Sequence, residues 1–79
     1  MKYKQCKLIK TSKYGIINVI SWIPEKFAKQ DKLLKIKDDY GKWENGWRVK
    51  KVFQGIILDE DEIKKRELEY RHHRKITDI

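Results

Sequence analysis

Apolar and charged side chains alternate along residues 2–10, with Cys6 and Leu8 on one face and Lys7 and Ile9 on the other. That two-residue period predicts a strand with one wet face. The cluster TSKYG, 11–15, reads as a turn with Gly15 free to take a positive φ. IINVISWI, 16–23, is β-branched and aromatic with both faces largely apolar, which predicts a central strand. Pro24 ends it and suits the first position of a helix, so PEKFAKQ predicts one or two helical turns that fold Phe27 and Ala28 back onto the sheet. KLLKIK, 32–37, sets Leu34 and Ile36 against Lys35 and Lys37, a strand with a cationic outer face. After the turn-rich DDYGKWENG, WRVKKVF at 47–53 predicts another strand. There Trp47 and Val49 share a face and Val52 breaks parity, which calls for a bulge near Lys50 and Lys51, or else for Phe53 to turn inward. Beyond Gly55, IIL is a last short strand or the lead-in to a helix expected over 59–74. Asp59 and Glu62 would form its capping box, an acidic first turn and basic last turn would match its dipole, and Ile63, Leu68 and Tyr70 would make a thin apolar stripe.

These elements predict a mainly β fold: a small SH3-like antiparallel barrel of four or five strands with one short helical turn, followed by a C-terminal α-helix. Closing the sheet would remove exposed edges. An open sheet with the helix packed across it is the alternative. Residues 1–58 are then the barrel, and 59–79 a helix and tail packed on it or extending from it.

The two tryptophans of KWENGWRVKKV decide whether this fold has a contact face. A two-residue turn at Asn45-Gly46 would put Trp43 opposite Arg48 and Glu44 opposite Trp47. Neighbours along a strand face opposite ways, so Trp47 would join Val49, Leu34 and Ile36 inside. Trp43 would stand outside beside Arg48 and Lys50, near Lys35 and Lys37. A three-residue Glu-Asn-Gly loop would instead put both rings on one face.

Nine aromatic residues and 39% hydrophobic content in 79 residues indicate a folded domain rather than a disordered tail. A domain this small has no room for both a core and a deep substrate cleft. The net charge is +8, and residues 1–58 carry fourteen Lys/Arg against five Asp/Glu, whereas 59–79 carry six against seven. The positive field therefore belongs to the front of the chain and favours an anionic partner. A single cysteine, Cys6, forms no internal disulfide, which fits a reducing cytoplasm, and its strand pattern makes it a buried small hydrophobe. The N-terminal residues have no apolar run typical of a secretion signal, and Asn18 and Ser21 interrupt the longest apolar stretch, so neither a leader nor a membrane span is expected.

Other chemical motifs have ordinary explanations. Glu62-Ile63-Lys64 matches half of a metal-dependent nuclease site, but capping and ion pairing account for it. His72 and His73 would point about 100° apart on a helix and could not chelate one ion together. The run RHHRK, 71–75, offers Arg71 and Arg74 as possible phosphate contacts. There is no glycine-rich phosphate loop, nucleophile elbow or CxxC. The expectation is a protein that is not an enzyme, with no cofactor, no metal and no small-molecule substrate.

SWIPEKFAK, LKIKD, NGWRVKKV and the tail YRHHRKITDI resemble a set of small phage and prophage proteins. In these a Ser-Trp-Ile-Pro segment precedes a Gly-Trp-x-Val strand and a basic helix. The resemblance spans most of residues 21–79 and implies an origin in an infected or lysogenic bacterial host rather than a mechanism. Where that set has a glycine before the third strand, this chain has Gln30-Asp31. Two functions follow as expectations. One is nucleic-acid binding through Trp43, Arg48, Lys50, Lys35, Lys37 and Lys42, with Arg71 and Arg74 as further contacts. The other is inhibition or adaptation of a host or anti-phage defence protein. A homo-oligomer is a further possibility.

Overall fold

The computed structural model describes residues 1–79. Six strands, β1 (Lys2–Ser12), β2 (Gly15–Pro24), β3 (Leu33–Lys37), β4 (Trp43–Val52), β5 (Leu58–Asp59) and β6 (Ile76–Asp78), form one antiparallel sheet. The order is β2-β1-β4-β3-β6, and β5 pairs with the start of β1. The mainly β fold is as expected. The sheet, however, is open and does not close into the expected SH3-like barrel.

Closure fails because no ladder joins β6 to β2. Instead the C-terminal segment touches both edges in turn. The Trp22 N–H donates to the Glu69 carbonyl at 3.1 Å, the Arg71 N–H donates to the Trp22 carbonyl at 2.8 Å, and a few residues later β6 pairs with β3. The strand 16–23 is therefore an edge strand rather than the expected central one. Its double-sided apolar pattern has another cause. Residues 21–24 are buried, whereas 15–18 and 20 are exposed.

Alternation along β1 and β2 builds a core on each side of the sheet. The larger one gathers Cys6, Leu8, Ile23, Leu34, Ile36, Trp47, Val49 and Ile76, with Phe27 and Ala28 brought in by a 3₁₀ turn at Glu25–Phe27. It joins residues of β2 at one edge to Ile76 of β6 at the other, so the sheet curls around this face. The smaller core lies on the opposite face at the start of β1, where Tyr3, Trp22, Leu58 and Ile63 pack with Leu68 and Tyr70.

Two bulges set the registry of β4. Lys7 pairs with Lys51 but Leu8 pairs with Val49, so Lys50 is the extra residue and Val52 returns to the large core, the first of the two outcomes its parity allowed. A second shift lies opposite Lys35. Leu34 pairs with Trp47 and Ile36 with Glu44, which leaves Asn45 and Gly46 facing one residue. Asn45-Gly46 is thus a bulge inside β4, not the hairpin turn expected there. Gly46 has φ +89, which only a residue without Cβ adopts without strain. The turn between β3 and β4 lies earlier, at residues 38–42, where the Asp38 carboxylate accepts from the Tyr40 and Lys42 N–H groups at 2.9 Å each.

The helix expected over 59–74 is also shorter. Asp59 caps it by accepting from the Glu62 N–H at 3.0 Å, but α1 spans only Glu60–Lys65. Glu67 takes a left-handed φ of +56, while the Glu67 and Leu68 N–H groups donate to the Lys64 and Ile63 carbonyls. This is a Schellman ending, completed by Leu68 packing with Ile63 in the smaller core. The physical reason for the early stop is the edge of β2. Extended backbone at 69–71 satisfies the outward polar groups of Trp22, which a helix could not do.

Left-handed backbone costs a residue with a Cβ about 1–2 kcal/mol, partly offset in glycine by its freer unfolded chain. Glu67→Gly is therefore expected to raise stability by about 1 kcal/mol. Urea unfolding with an unchanged m value checks this, and a loss of stability would show that the glutamate side chain, not the turn, secures the helix end.

Candidate nucleic-acid interface

The registry of β1, β3 and β4 assigns side chains to the face away from the large core. Lys37 pairs with Trp43, Leu33 and Ile9 both pair with Arg48, and Lys7 pairs with Lys51. Lys35 lies between the inward Leu34 and Ile36 and so faces outward too. The bulge at Gly46 shifts parity between the two indoles. Trp43 is 43% exposed on this outer face, while Trp47 is 8% exposed in the large core. The sorting of the rings matches expectation, although a bulge rather than a turn achieves it, and Trp43 lies opposite Lys37, not Arg48.

The Lys37 ammonium sits 5.6 Å from the centre of the Trp43 ring, close enough for a cation–π attraction. Lys7, Lys35, Lys37, Arg48, Lys50 and Lys51 form no ion pair. The nearest acid along β4, Glu44, pairs with the inward Ile36 and binds Lys10 at 2.9 Å, which removes its charge from the outer face. Beside Arg48, a shallow depression of about 290 Å³ is lined by Ile9, Thr11, Leu33 and Gly46. The face therefore offers one indole, unpaired cations and a shallow hollow of mixed polarity.

The remaining basic residues are elsewhere. Lys42 is exposed in the β3–β4 turn, one residue before Trp43. Arg71 lies on the segment bonded to β2, with its guanidinium 3.5 Å from Glu69. Arg74 is exposed in a 3₁₀ turn at His73–Lys75, which Lys75 ties to Asp39 of the β3–β4 turn at 3.4 Å. Neither arginine is a strand neighbour of Trp43. Three outer-face residues, Lys7, Ile9 and Lys51, were not among the contacts expected from the sequence. Lys7 and Lys51 were legible as outward positions of their strands, but only the pairing of β1 with β4 puts them side by side. Ile9 was legible in the same way.

The histidines pack with the polar rim of the smaller core. The Glu60 carboxylate lies 3.1 Å from His72 Nε2, 3.3 Å from the Tyr70 hydroxyl and 3.7 Å from Lys64. His72 Nδ1 accepts from the Arg74 N–H at 3.2 Å, so the two contacts fit a ring with its proton on Nε2. Desolvation pushes the Glu60 carboxyl up, but Lys64, His72 and the Tyr70 hydroxyl outweigh it and hold it below its ordinary value. Desolvation, with His72 and Arg74 nearby, holds the His73 imidazole below its ordinary value. Cys6 is fully buried, and desolvation raises its thiol to about 11 despite Lys4, so it stays protonated. No three His, Cys, Asp or Glu side chains are grouped to hold a metal ion. Glu62 and Lys64 flank the buried Ile63 on α1, and the Glu62 N–H is occupied by Asp59. No helix is long and apolar enough to cross a membrane.

No protein-family model matches the chain, and no curated protein or solved structure is significantly similar to it.

Trp43→Ala is expected to cost less than about 1 kcal/mol of stability, and Trp47→Ala about 3–5 kcal/mol. Equal losses in denaturant unfolding would contradict the division of the rings between the two faces. Stability should also fall with acid in two stages. His73, whose folded value lies below its ordinary 6.5, contributes fully above that value and loses its contribution as pH drops below it. Glu60, likewise depressed, contributes fully above its ordinary 4.5 and loses its contribution as pH falls through its lower folded value. A Tm series from neutral to acidic pH tests this. His73→Gln should remove the upper stage, and a Tm that does not change across the histidine range would refute it.

Proposed function

We propose that this protein is a non-enzymatic binding module that holds nucleic acid against the outer face of its sheet. The observation that carries the reading is a row of cations without ion-pair partners that runs along the outer face from an exposed indole at one end of β4 to Lys7 and Lys51 at the other. Lys7, Lys35, Lys37, Arg48, Lys50 and Lys51 would neutralise phosphates, and an unpaired base would stack on Trp43. Lys42, next in sequence to Trp43, extends the row. Arg71 and Arg74 play at most a peripheral part, since one is engaged by Glu69 and both lie on the C-terminal segment. In this reading the curled sheet works as an open variant of a small SH3-like barrel, with the C-terminal segment across its gap. The resemblance to phage proteins and the single reduced cysteine support a role in the bacterial cytoplasm.

A second reading rests on the same face. Ile16, Ile20 and Leu33 are exposed there, and apolar side chains beside Trp and Arg suit a protein surface. A phage-encoded inhibitor or adaptor of a host or defence protein would use them. Recovery of a single protein from nuclease-treated lysate favours this reading. Recovery that depends on intact nucleic acid favours the first.

Titration with a single-stranded oligonucleotide at two salt concentrations tests the proposal. Affinity should fall with salt in proportion to the phosphates neutralised, about 0.7 log units per decade for each. Trp43→Ala should weaken binding by about 1–3 kcal/mol, and Lys37→Glu with Arg48→Glu should abolish it at moderate salt. No binding at low salt would end this reading.

A further inference from the structure

Beyond Trp22, one edge of the sheet lacks the protection that edge strands normally carry. Trp22 turns its N–H and C=O away from β1, toward Glu69 and Arg71. The pairing of β2 with β1 is unbroken from Gly15 to Pro24, so alternation turns the backbone groups of Ile20, Asn18 and Ile16 outward as well. None of these groups has a partner outside the β1–β2 ladder. Edge strands are normally guarded by charge, proline or a bulge. In a chain that is 41% charged, Gly15–Pro24 has no charged residue, no proline before its last position and no bulge. Ile16 is 64% exposed, Ile20 52% and Ile17 45%.

We propose that this free edge pairs antiparallel with the same edge of a second copy of the chain, joining two sheets into one across a two-fold axis at Asn18. The sequence of the edge is complementary to itself in that register. Ile16 meets Ile20 on the outer side, Ile17 meets Val19 on the inner side, and Asn18 meets Asn18. Each outward pair exchanges two bonds, about six in all. The free lengths also match. The segment 69–71 blocks the edge at Trp22, and in this register Trp22 of the second copy falls opposite Tyr14, where the strand has already turned. The blocking segment runs parallel to β2 there, with Glu69 beside Ser21, so it meets only the turn end of the other copy at Tyr14 and Gly15 and leaves the backbone groups of residues 16–20 free to pair. Because the two-fold pairing uses the same β2 edge of each copy, the interface closes at two copies.

Sedimentation of nuclease-treated protein over a wide concentration range tests the pairing. A monomer–dimer equilibrium is expected, tightening as salt screens the two positive chains, the opposite of the salt dependence of nucleic-acid binding. The two readings therefore fail separately. Asn18→Lys sets two lysines face to face on the axis and should weaken the dimer about tenfold or more. Asn18 is exposed, so the variant's circular dichroism should match the parent's. Amide exchange gives a local measure: the Ile16, Asn18 and Ile20 N–H groups should be open in dilute protein and protected in concentrated protein. A monomer at every concentration overturns the proposal. So does a dimer that tolerates Asn18→Lys, or one that leaves those three amides open.

Discussion

The positive φ of Gly46 is the constraint on which the surface of this protein depends. One extra residue opposite Lys35 reverses the alternation of β4 between its two tryptophans. Without it, Trp43 and Trp47, four residues apart, would point to the same side. The bulge lets β4 pack an indole into the large core while holding another among lysines. It also turns Glu44 inward to Lys10, so the one acid of β4 is spent where it cannot neutralise the outer face. Geometry at a single glycine thus fixes both the core and the charge pattern.

That pattern follows from how the chain distributes its acids. Asp39 and Asp78 engage Lys75 and Lys32, and Glu60 engages Lys64 and His72, all at turns, sheet ends or the C-terminal segment. Exposed ion pairs contribute little to stability, so leaving the outer-face cations unpaired costs the fold little. What the arrangement does provide is a surface whose positive charge is not cancelled by its own neighbours. An anionic partner would replace water and mobile ions there rather than compete with internal carboxylates.

Much of this was legible in the chain. The alternation in 2–10 and 32–37, the cap at Asp59 and the parity break at Val52, which a bulge at Lys50 resolves, all rest on local chemistry, and local chemistry is what a sequence displays. The Asn-Gly pair was misleading for a physical reason. A tight hairpin turn and a bulge both need a residue that tolerates positive φ, and only the pairing partners distinguish them. The helix end was hidden because Glu67 adopts a conformation usually left to glycine. The position of β2 was hidden because burial on both faces at residues 21–24 mimics a central strand, although one of those faces is covered by residues some forty positions later. The outer-face cluster was visible in part: Lys35, Lys37, Arg48 and Trp43 lie on two strands read as neighbours, whereas Lys7 and Lys51 come together only through the β1–β4 ladder.

The same long-range pairing explains why this sheet stays open. A barrel would need β6 and β2 to share a ladder, but the C-terminal segment reaches β2 first and binds it only at Trp22 before crossing to β3. The strap satisfies the buried half of the edge, where water cannot reach the backbone, and leaves the exposed half to solvent. An unpaired N–H or C=O costs little while it is hydrated and a great deal once it is buried. The chain therefore covers its edge only as far as the smaller core extends. Beyond that limit β2 keeps its apolar, uncharged sequence although no core demands it, which is why burial within one chain does not account for the composition of that half-strand.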